Sequence, residues 1–131
     1  MKILITYFGQ TGNTEKVAKA IYEEASQNHE VETKKFEEVN AGDLTGYDIV
    51  FIGSPIHAGN LSGPAKAFLN NLKAPSGQKM AAFITHAGPA YPEQTMSTFT
   101  EPYKTACEKN ALKFLGYFSC QGFLNPAIQD Q

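Results

Sequence analysis

Side chains suited to binding an anion are concentrated in one short segment near the start of the chain. The segment GQTGNT consists of Gly9, Gln10, Thr11, Gly12, Asn13 and Thr14. An apolar run at 2–8 predicts a buried strand before it, and a helix follows with apolar positions at helical spacing, Val17, Ala18, Ile21 and Ala25. A strand that turns into a helix in this way presents unpaired backbone N–H groups and the positive end of the helix dipole at one point. The segment therefore predicts a phosphate-binding loop.

The composition of this loop limits the chemistry that it can perform. It lacks the lysine of a Walker-type loop, and its glycine spacing is not that of a dinucleotide fingerprint. A phosphate would be held by backbone N–H groups with Thr11, Asn13 and Thr14, which suits a monophosphate belonging to a larger ligand. The absence of cysteine from the loop excludes a low-molecular-weight phosphatase. An ordinary turn in which Asn13 caps the helix stays open as the alternative.

The tetrapeptide TGNT, directly after a first strand and before a helix carrying Val17, Ala18 and Ile21, resembles the phosphate-binding loop of the flavodoxin family. The resemblance implies that this loop holds the phosphate of FMN. Gly9 departs from the family pattern, because a Ser or Thr hydroxyl usually stands there. The missing hydrogen bond would weaken binding by about 1–2 kcal/mol without abolishing it.

Length and composition indicate a single domain spanning 1–131. The chain has 131 residues, of which 42% are hydrophobic and 18% charged, with a formal net charge of −2. No apolar run approaches the roughly 20 residues of a membrane span, and no basic cluster suggests a nucleic-acid partner. Cys107 and Cys120 match no metal or redox spacing, so we expect reduced thiols, no metal site and a cytoplasmic protein.

Predicted strands alternate with predicted helices along the chain. The strands are expected at 2–8, 30–36, 48–53, 79–85 and 113–119. Helices are expected from Thr14, after Ser62 and after Pro92, and the last should break near Pro102 and restart with Thr100 as its cap. This alternation predicts a parallel sheet with helices on both faces.

The resemblance to flavodoxins supplies the strand order of this α/β, doubly wound, five-stranded sheet, 2-1-3-4-5. That order brings the loops 9–14, 54–61 and 85–91 together at the topological switch point, where such folds bind ligands.

In flavodoxins the second and third loops clasp the flavin ring, often between aromatic side chains. The corresponding residues here are Pro55, Ile56, His57, Ala58, Gly59, Asn60, Thr85, His86, Ala87, Gly88 and Tyr91. The stacking candidates are His57 or Ile56 on one side and Tyr91 on the other, and His86 could also approach the ring. Alternatively, His57 is a solvated loop residue, Tyr91 packs at the start of a helix, and His86 is a polar cap of its strand.

No catalytic residue is predicted, but Gly59 is the candidate for a peptide that turns over to accept a hydrogen bond from N5 of the reduced flavin. Glycine permits this because positive φ costs it little. No Asp or Glu lies between Pro55 and Tyr91, and Lys66 is nearby in sequence. We therefore expect easier flavin reduction than in the acidic flavodoxins, and weaker electrostatic steering toward a basic partner.

The end of the chain departs from the family. After the fifth strand there remain residues 121–131, with Pro126 among them, which cannot supply the usual final helix. Either the chain is truncated, or a second subunit covers the face of the sheet on which this helix usually packs. We therefore expect self-association.

Three functions remain open. The favoured one is an FMN-binding carrier of one or two electrons between redox protein partners. The alternatives are an FMN-dependent NAD(P)H:quinone oxidoreductase and a binding module that keeps the fold without the flavin.

Overall fold

The computed structural model describes residues 2–8, 13–40, 42–57, 60–61, 63–75, 77–86 and 93–121. Its elements are β1 (Lys2–Tyr7), α1 (Asn13–Ala25), β2 (Glu30–Lys35), a 3₁₀ turn (Phe36–Glu38), β3 (Ile49–His57), β4 (Asn60–Leu61), α2 (Gly63–Asn70), β5 (Lys79–His86), α3 (Glu93–Asn110) and β6 (Lys113–Gln121). None of the helices in the described part is long and apolar enough to cross a membrane.

The sheet has the predicted order. Its path runs β2-β1-β3-β5-β6, and every pair along that path is parallel. The two-residue strand β4 lies off this path and pairs with the end of β3 in the antiparallel sense. Without β4, the order is 2-1-3-4-5, which confirms the doubly wound α/β fold.

Helices cover both faces of the sheet, so the central strands are apolar at successive positions. On β1, Leu4 belongs to the cluster beneath α2 and α3, while Ile3 and Ile5 belong to the cluster beneath α1. All three are at most 3% exposed. This is the two-sided burial expected of a parallel strand.

The helices bury the faces that their spacing predicts. On α1, Val17 and Ala18 are buried against the sheet and Ile21 is partly buried. On α2, the buried residues are Ala65, Phe68 and Leu69. The prediction for α1 is confirmed, and Ser62, after which the second helix is expected, lies outside the described residues.

The predicted break in the last helix is wrong, because α3 runs without interruption from Glu93 to Asn110 with Pro102 inside it. Proline in a helix costs about 3 kcal/mol, whereas burial of one large apolar side chain contributes about 1.5–3 kcal/mol. Phe99 and Tyr103 are both buried on either side of Pro102, and the Tyr103 hydroxyl donates to the Ile52 carbonyl at 3.2 Å. Burial raises the pKa of Tyr103, so that its hydroxyl remains a donor. These contacts keep the helix continuous and also make Thr100 a helix-interior residue.

The two edges of the sheet differ in charge. On β2, Glu32 pairs with Lys2 at 3.3 Å and with Lys34 at 3.2 Å, and such charges discourage further strand pairing. On β6, Leu115 is 47% and Tyr117 37% exposed, next to an irregularity in the β5–β6 register. The expectation about a final helix concerns residues 122–131, which lie outside the described part.

Gly53 on β3 permits close packing beside the point at which β1 ends. It pairs with Phe83 of β5, which is fully buried, and a methyl group built on Gly53 would overlap the Phe83 ring. The backbone of Gly53 needs no positive φ, so the requirement for glycine there is steric.

We expect Gly53→Ala to lower the free energy of unfolding by about 1–3 kcal/mol, the usual range for an overpacked core. Urea unfolding of the variant measures this. The control is Gly63→Ala, because a methyl group at the exposed Gly63 contacts nothing within 4 Å. The penalty should shrink in a Phe83→Leu background, and an equal penalty in both backgrounds would contradict the steric explanation.

Cys107 is a core residue. It is 3% exposed, its Sγ lies 3.6 Å from the Met80 Sδ, and burial together with Glu108 raises the pKa of its thiol to about 11.

In a Cys120→Ser variant, Cys107 is the single remaining thiol. It should resist Ellman's reagent at mildly alkaline pH while the protein is folded, because the thiol is buried and protonated. The same sample should react fully in denaturant, which serves as the control. Rapid reaction of the folded protein would show that the thiol is accessible.

Candidate functional site

The carboxyl ends of β1, β3 and β5 lie next to one another. Tyr7, the last residue of β1, pairs with Gly53 of β3, and Pro55 of β3 pairs with Thr85 near the end of β5. The Phe8 N–H donates to the Gly53 carbonyl at 3.2 Å, which holds the exit of β1 against β3. The predicted loops therefore start from neighbouring points on a single edge.

The first helix begins at this same edge. Helix α1 starts at Asn13, so its unpaired N–H groups and the positive end of its dipole begin at Asn13 and Thr14, the last two residues of the TGNT segment. Glu15 is the acidic residue of its first turn, and Lys19 lies 3.8 Å from that carboxylate. Because Lys19 balances part of the Glu15 charge, Glu15 offsets only part of the positive potential at the start of α1.

A buried hydrogen bond joins the first and third predicted loops. The hydroxyl oxygens of Thr14 and Thr85 lie 2.9 Å apart, although the residues are separated by 71 positions in the sequence. Thr14 is 0% and Thr85 1% exposed, so solvent does not compete for this bond. Two predicted site residues are thereby brought into direct contact.

The structure places several other predicted site residues by their backbone. Pro55, Ile56 and His57 extend β3 beyond the predicted strand 48–53, and His57 pairs with Asn60 of β4. The predicted loop 54–61 is therefore partly an antiparallel strand pair, which corrects the expectation of a plain loop. The extension follows from β5, whose pairing with β3 continues as far as Pro55 and Thr85. His86 is the last residue of β5.

The remaining predicted site residues lie outside the described part of the chain. They are Gly9, Gln10, Thr11, Gly12, Ala58, Gly59, Ala87, Gly88 and Tyr91. The Gly59 peptide and the ring stacking by Tyr91 thus stay predictions.

Two threonines, one near the end of β1 and one on β2, are not among the residues that the sequence predicts for the site. The hydroxyls of Thr6 and Thr33 are buried and have no hydrogen-bond partner within the described part of the chain. In the sequence both are β-branched strand residues, and nothing local distinguishes them from their apolar neighbours. Thr6 is 0% exposed, as Thr14 is, so a ligand would reach either hydroxyl only after a local rearrangement.

Burial also fixes the protonation of the tyrosine that ends β1. The pKa of Tyr7 is raised by burial first and by the carboxylates of Glu15 and Glu38 second. The phenol is therefore neutral at physiological pH. The described part of the edge offers neutral hydroxyls and the start of a helix, a donor set that fits a phosphate monoester.

Two grooves also lie on the described surface, and the second of them is lined in part by Tyr7 at the end of β1 and Glu15 in the first turn of α1. One, of about 370 Å³, lies between α2 and α3 over Leu69, Phe99 and Ala106. The other, of about 550 Å³, lies between α1 and β2 beside Tyr22 and Val31. No group of three or more metal-binding side chains occurs among the described residues. Neither groove includes the Thr14–Thr85 contact.

Comparisons with known proteins agree with this architecture. A family model described as a flavodoxin domain matches residues 4–131. The flavodoxin-like domain-containing protein BilS of Clostridioides difficile (strain CD3) is 32% identical over 123 residues, which cover 93% of this chain and 66% of that relative. The chain thus spans slightly less than two thirds of that relative's length.

Solved structures show the same fold at lower identity. Oxidised flavodoxin 1 of Bacillus cereus aligns with a TM-score of 0.76 at 17% identity, covering 99% of this chain and 90% of that one. An NADH:FMN oxidoreductase in its apo form aligns with a TM-score of 0.68 at 14% identity, covering 99% of this chain and 83% of that one. These likenesses concern the fold, whereas the family model matches the sequence itself. With that match and the strand order β2-β1-β3-β5-β6, the chain belongs to the flavodoxin domain family.

Proposed function

We propose that this protein binds FMN at the carboxyl edge of β1, β3 and β5 and carries electrons between redox proteins. The observation that carries the proposal is the position of Thr14. It belongs to the TGNT segment, lies in the first turn of α1 and contacts the end of β5. The phosphate-binding segment and the third loop are thus adjacent, as a ligand spanning them requires.

The residues have distinct roles in this proposal. Thr11, Asn13 and Thr14, with the first N–H groups of α1, hold the phosphate through hydrogen bonds and the helix dipole. The segments that follow β3 and β5 hold the ring, with His57, His86 and Tyr91 as candidate contacts. When bound, FMN supplies one- or two-electron transfer, and the protein supplies orientation and the local electrostatic potential.

An absorption spectrum tests the proposal directly. Purified protein incubated with FMN and then desalted should retain the flavin bands, because the phosphate and ring contacts act together. Riboflavin should be lost on desalting, since it lacks the phosphate. Protein that stays colourless after incubation with FMN would contradict the proposal and favour a binding module without flavin.

The sequence around the site also predicts the direction of its reduction potential. No carboxylate occurs from Pro55 to Tyr91, and Lys66 lies in α2. An anionic reduced flavin should therefore be less disfavoured than in an acidic flavodoxin. Spectroelectrochemical titration should give a potential for the second electron above that of an acidic flavodoxin measured in the same buffer. The substitution Lys66→Asp should lower that potential. A wild-type potential as low as that of the reference protein would contradict this.

A turnover enzyme is the second candidate. The fold is also that of an NADH:FMN oxidoreductase, so the scaffold by itself does not separate a carrier from an enzyme. Steady-state assays with NADH or NADPH and a quinone, without any added protein, distinguish them. A carrier should show little turnover until a reductase is supplied.

We also propose that the protein self-associates through the side of the sheet that includes β6. Leu115 and Tyr117 are exposed there, on a strand whose one charged residue is Lys113. An edge strand with few charges is prone to pair with another strand. Sedimentation analysis should show a dimer that Leu115→Glu dissociates. A strictly monomeric wild-type protein would contradict this proposal and leave the FMN proposal unaffected.

A further inference from the structure

We propose that Thr85 is a positioning residue for phosphate binding, which acts by directing the hydroxyl proton of Thr14 toward the ligand. The inference rests on the proposed FMN site and assigns Thr85 a role in it. Thr85 is not required to touch the ligand itself.

The contact that carries the inference is short and closed to solvent. The two hydroxyl oxygens are 2.9 Å apart, and either can be the donor. Among the described residues, each of these hydroxyls is the hydrogen-bond partner of the other. Because Thr14 and Thr85 are both at most 1% exposed, a solvent molecule cannot easily replace either partner.

The proton inventory of the pair explains why direction matters. A threonine hydroxyl has one proton to donate and two lone pairs that accept. If Thr14 donates to Thr85, the Thr14 proton is already used in that bond. Only the lone pairs of the Thr14 hydroxyl oxygen then face another neighbour. If Thr85 donates instead, the Thr14 proton is available to an acceptor. The oxygens of a bound phosphate accept hydrogen bonds from a hydroxyl group. Phosphate binding therefore favours the arrangement in which Thr85 donates to Thr14 and Thr14 donates to the phosphate.

The backbone holds Thr85 where it can perform this role. Thr85 lies in β5, paired with Pro55 of β3 on one side and with Cys120 of β6 on the other. Thr14 lies in the first turn of α1, where the helical N–H groups are unpaired. A donor fixed in the sheet thus orients a hydroxyl at the start of the helix, and hydrogen bonds in such a chain strengthen one another.

The expected consequence is a selective effect on the phosphate. Thr85→Val keeps the shape of the side chain and removes its hydroxyl, so Thr14 loses the partner that directs its proton. FMN affinity should fall by about two- to fivefold, less than the effect of a whole hydrogen bond, because the Thr14 hydroxyl remains and loses only its direction and the cooperative strengthening of its bond. Riboflavin affinity should change by less than about twofold, because riboflavin has no phosphate for Thr14 to bind. Thr85→Ser retains the hydroxyl and should restore most of the FMN affinity.

The test measures dissociation constants for FMN and riboflavin by quenching of flavin fluorescence, with wild-type protein and each variant. The quantity of interest is the ratio of the two constants, because a merely structural defect would weaken both ligands together. An equal loss of both affinities in Thr85→Val, an unchanged ratio, or failure of Thr85→Ser to restore the ratio would overturn the inference.

A double-mutant cycle covers the case in which Thr85→Val folds poorly. Replacing both threonines with valine leaves neither buried hydroxyl unpaired, and such paired replacements can be nearly neutral for stability. Once Thr14 is valine, removing the Thr85 hydroxyl should leave the ratio unchanged. A further decrease would show that Thr85 acts independently of Thr14, contrary to the inference.

The same titrations separate this inference from the proposed function. If wild-type protein binds no FMN, the proposed function fails and the role of Thr85 fails with it. If wild-type protein binds FMN and the ratio is insensitive to Thr85, only the role of Thr85 is rejected.

Discussion

A hydrogen bond between two buried hydroxyls, on Thr14 and Thr85, joins the start of the first helix to the end of the fourth long strand. The bond requires a fixed register among β1, β3 and β5, because Thr14 follows β1 and Thr85 pairs with Pro55 of β3. The parallel register provides this alignment through the pairs Tyr7–Gly53 and Pro55–Thr85. A slip of either register would separate the hydroxyls and bury each of them unpaired, which is energetically costly. The alignment of the strands and the assembly of the candidate site therefore depend on each other.

The packing behind this edge is adapted to the same alignment. Phe83 occupies the space beside Gly53, so the β3–β5 pair carries a large ring at a position where the neighbouring strand has no side chain. On the opposite face, Tyr103 of α3 donates to the carbonyl of Ile52, the residue before Gly53. The centre of β3 is thus fixed from both sides, at the level where β1 ends. Rigid strands beneath polar loops are the usual arrangement for ligand binding in open α/β sheets.

Much of this organisation could be predicted from the sequence, because it depends on local patterns. The spacing of Val17, Ala18 and Ile21 predicts the buried face of α1, and the apolar run at 49–52 predicts a central strand. The strand order came from the resemblance to flavodoxins, since no local pattern specifies which strands are neighbours. The prediction for α3 was wrong because a local rule about Pro102 was applied without the burial of Phe99 and Tyr103, which is a tertiary effect. The Thr14–Thr85 contact could not be predicted, although both residues had been singled out, because side chains 71 positions apart meet only in the folded chain.

The central claim is that the ligand lies at the carboxyl edge of β1, β3 and β5 and not in either of the two surface grooves. Backbone amide chemical shifts, recorded on isotopically labelled protein during titration with FMN, test it most directly. The account predicts that the largest changes fall in 9–14, 54–61 and 85–91, while amides around the groove between α2 and α3, and around Tyr22 and Val31 in the groove between α1 and β2, change little. Changes concentrated at either groove, or no saturable change at the strand ends, would contradict it.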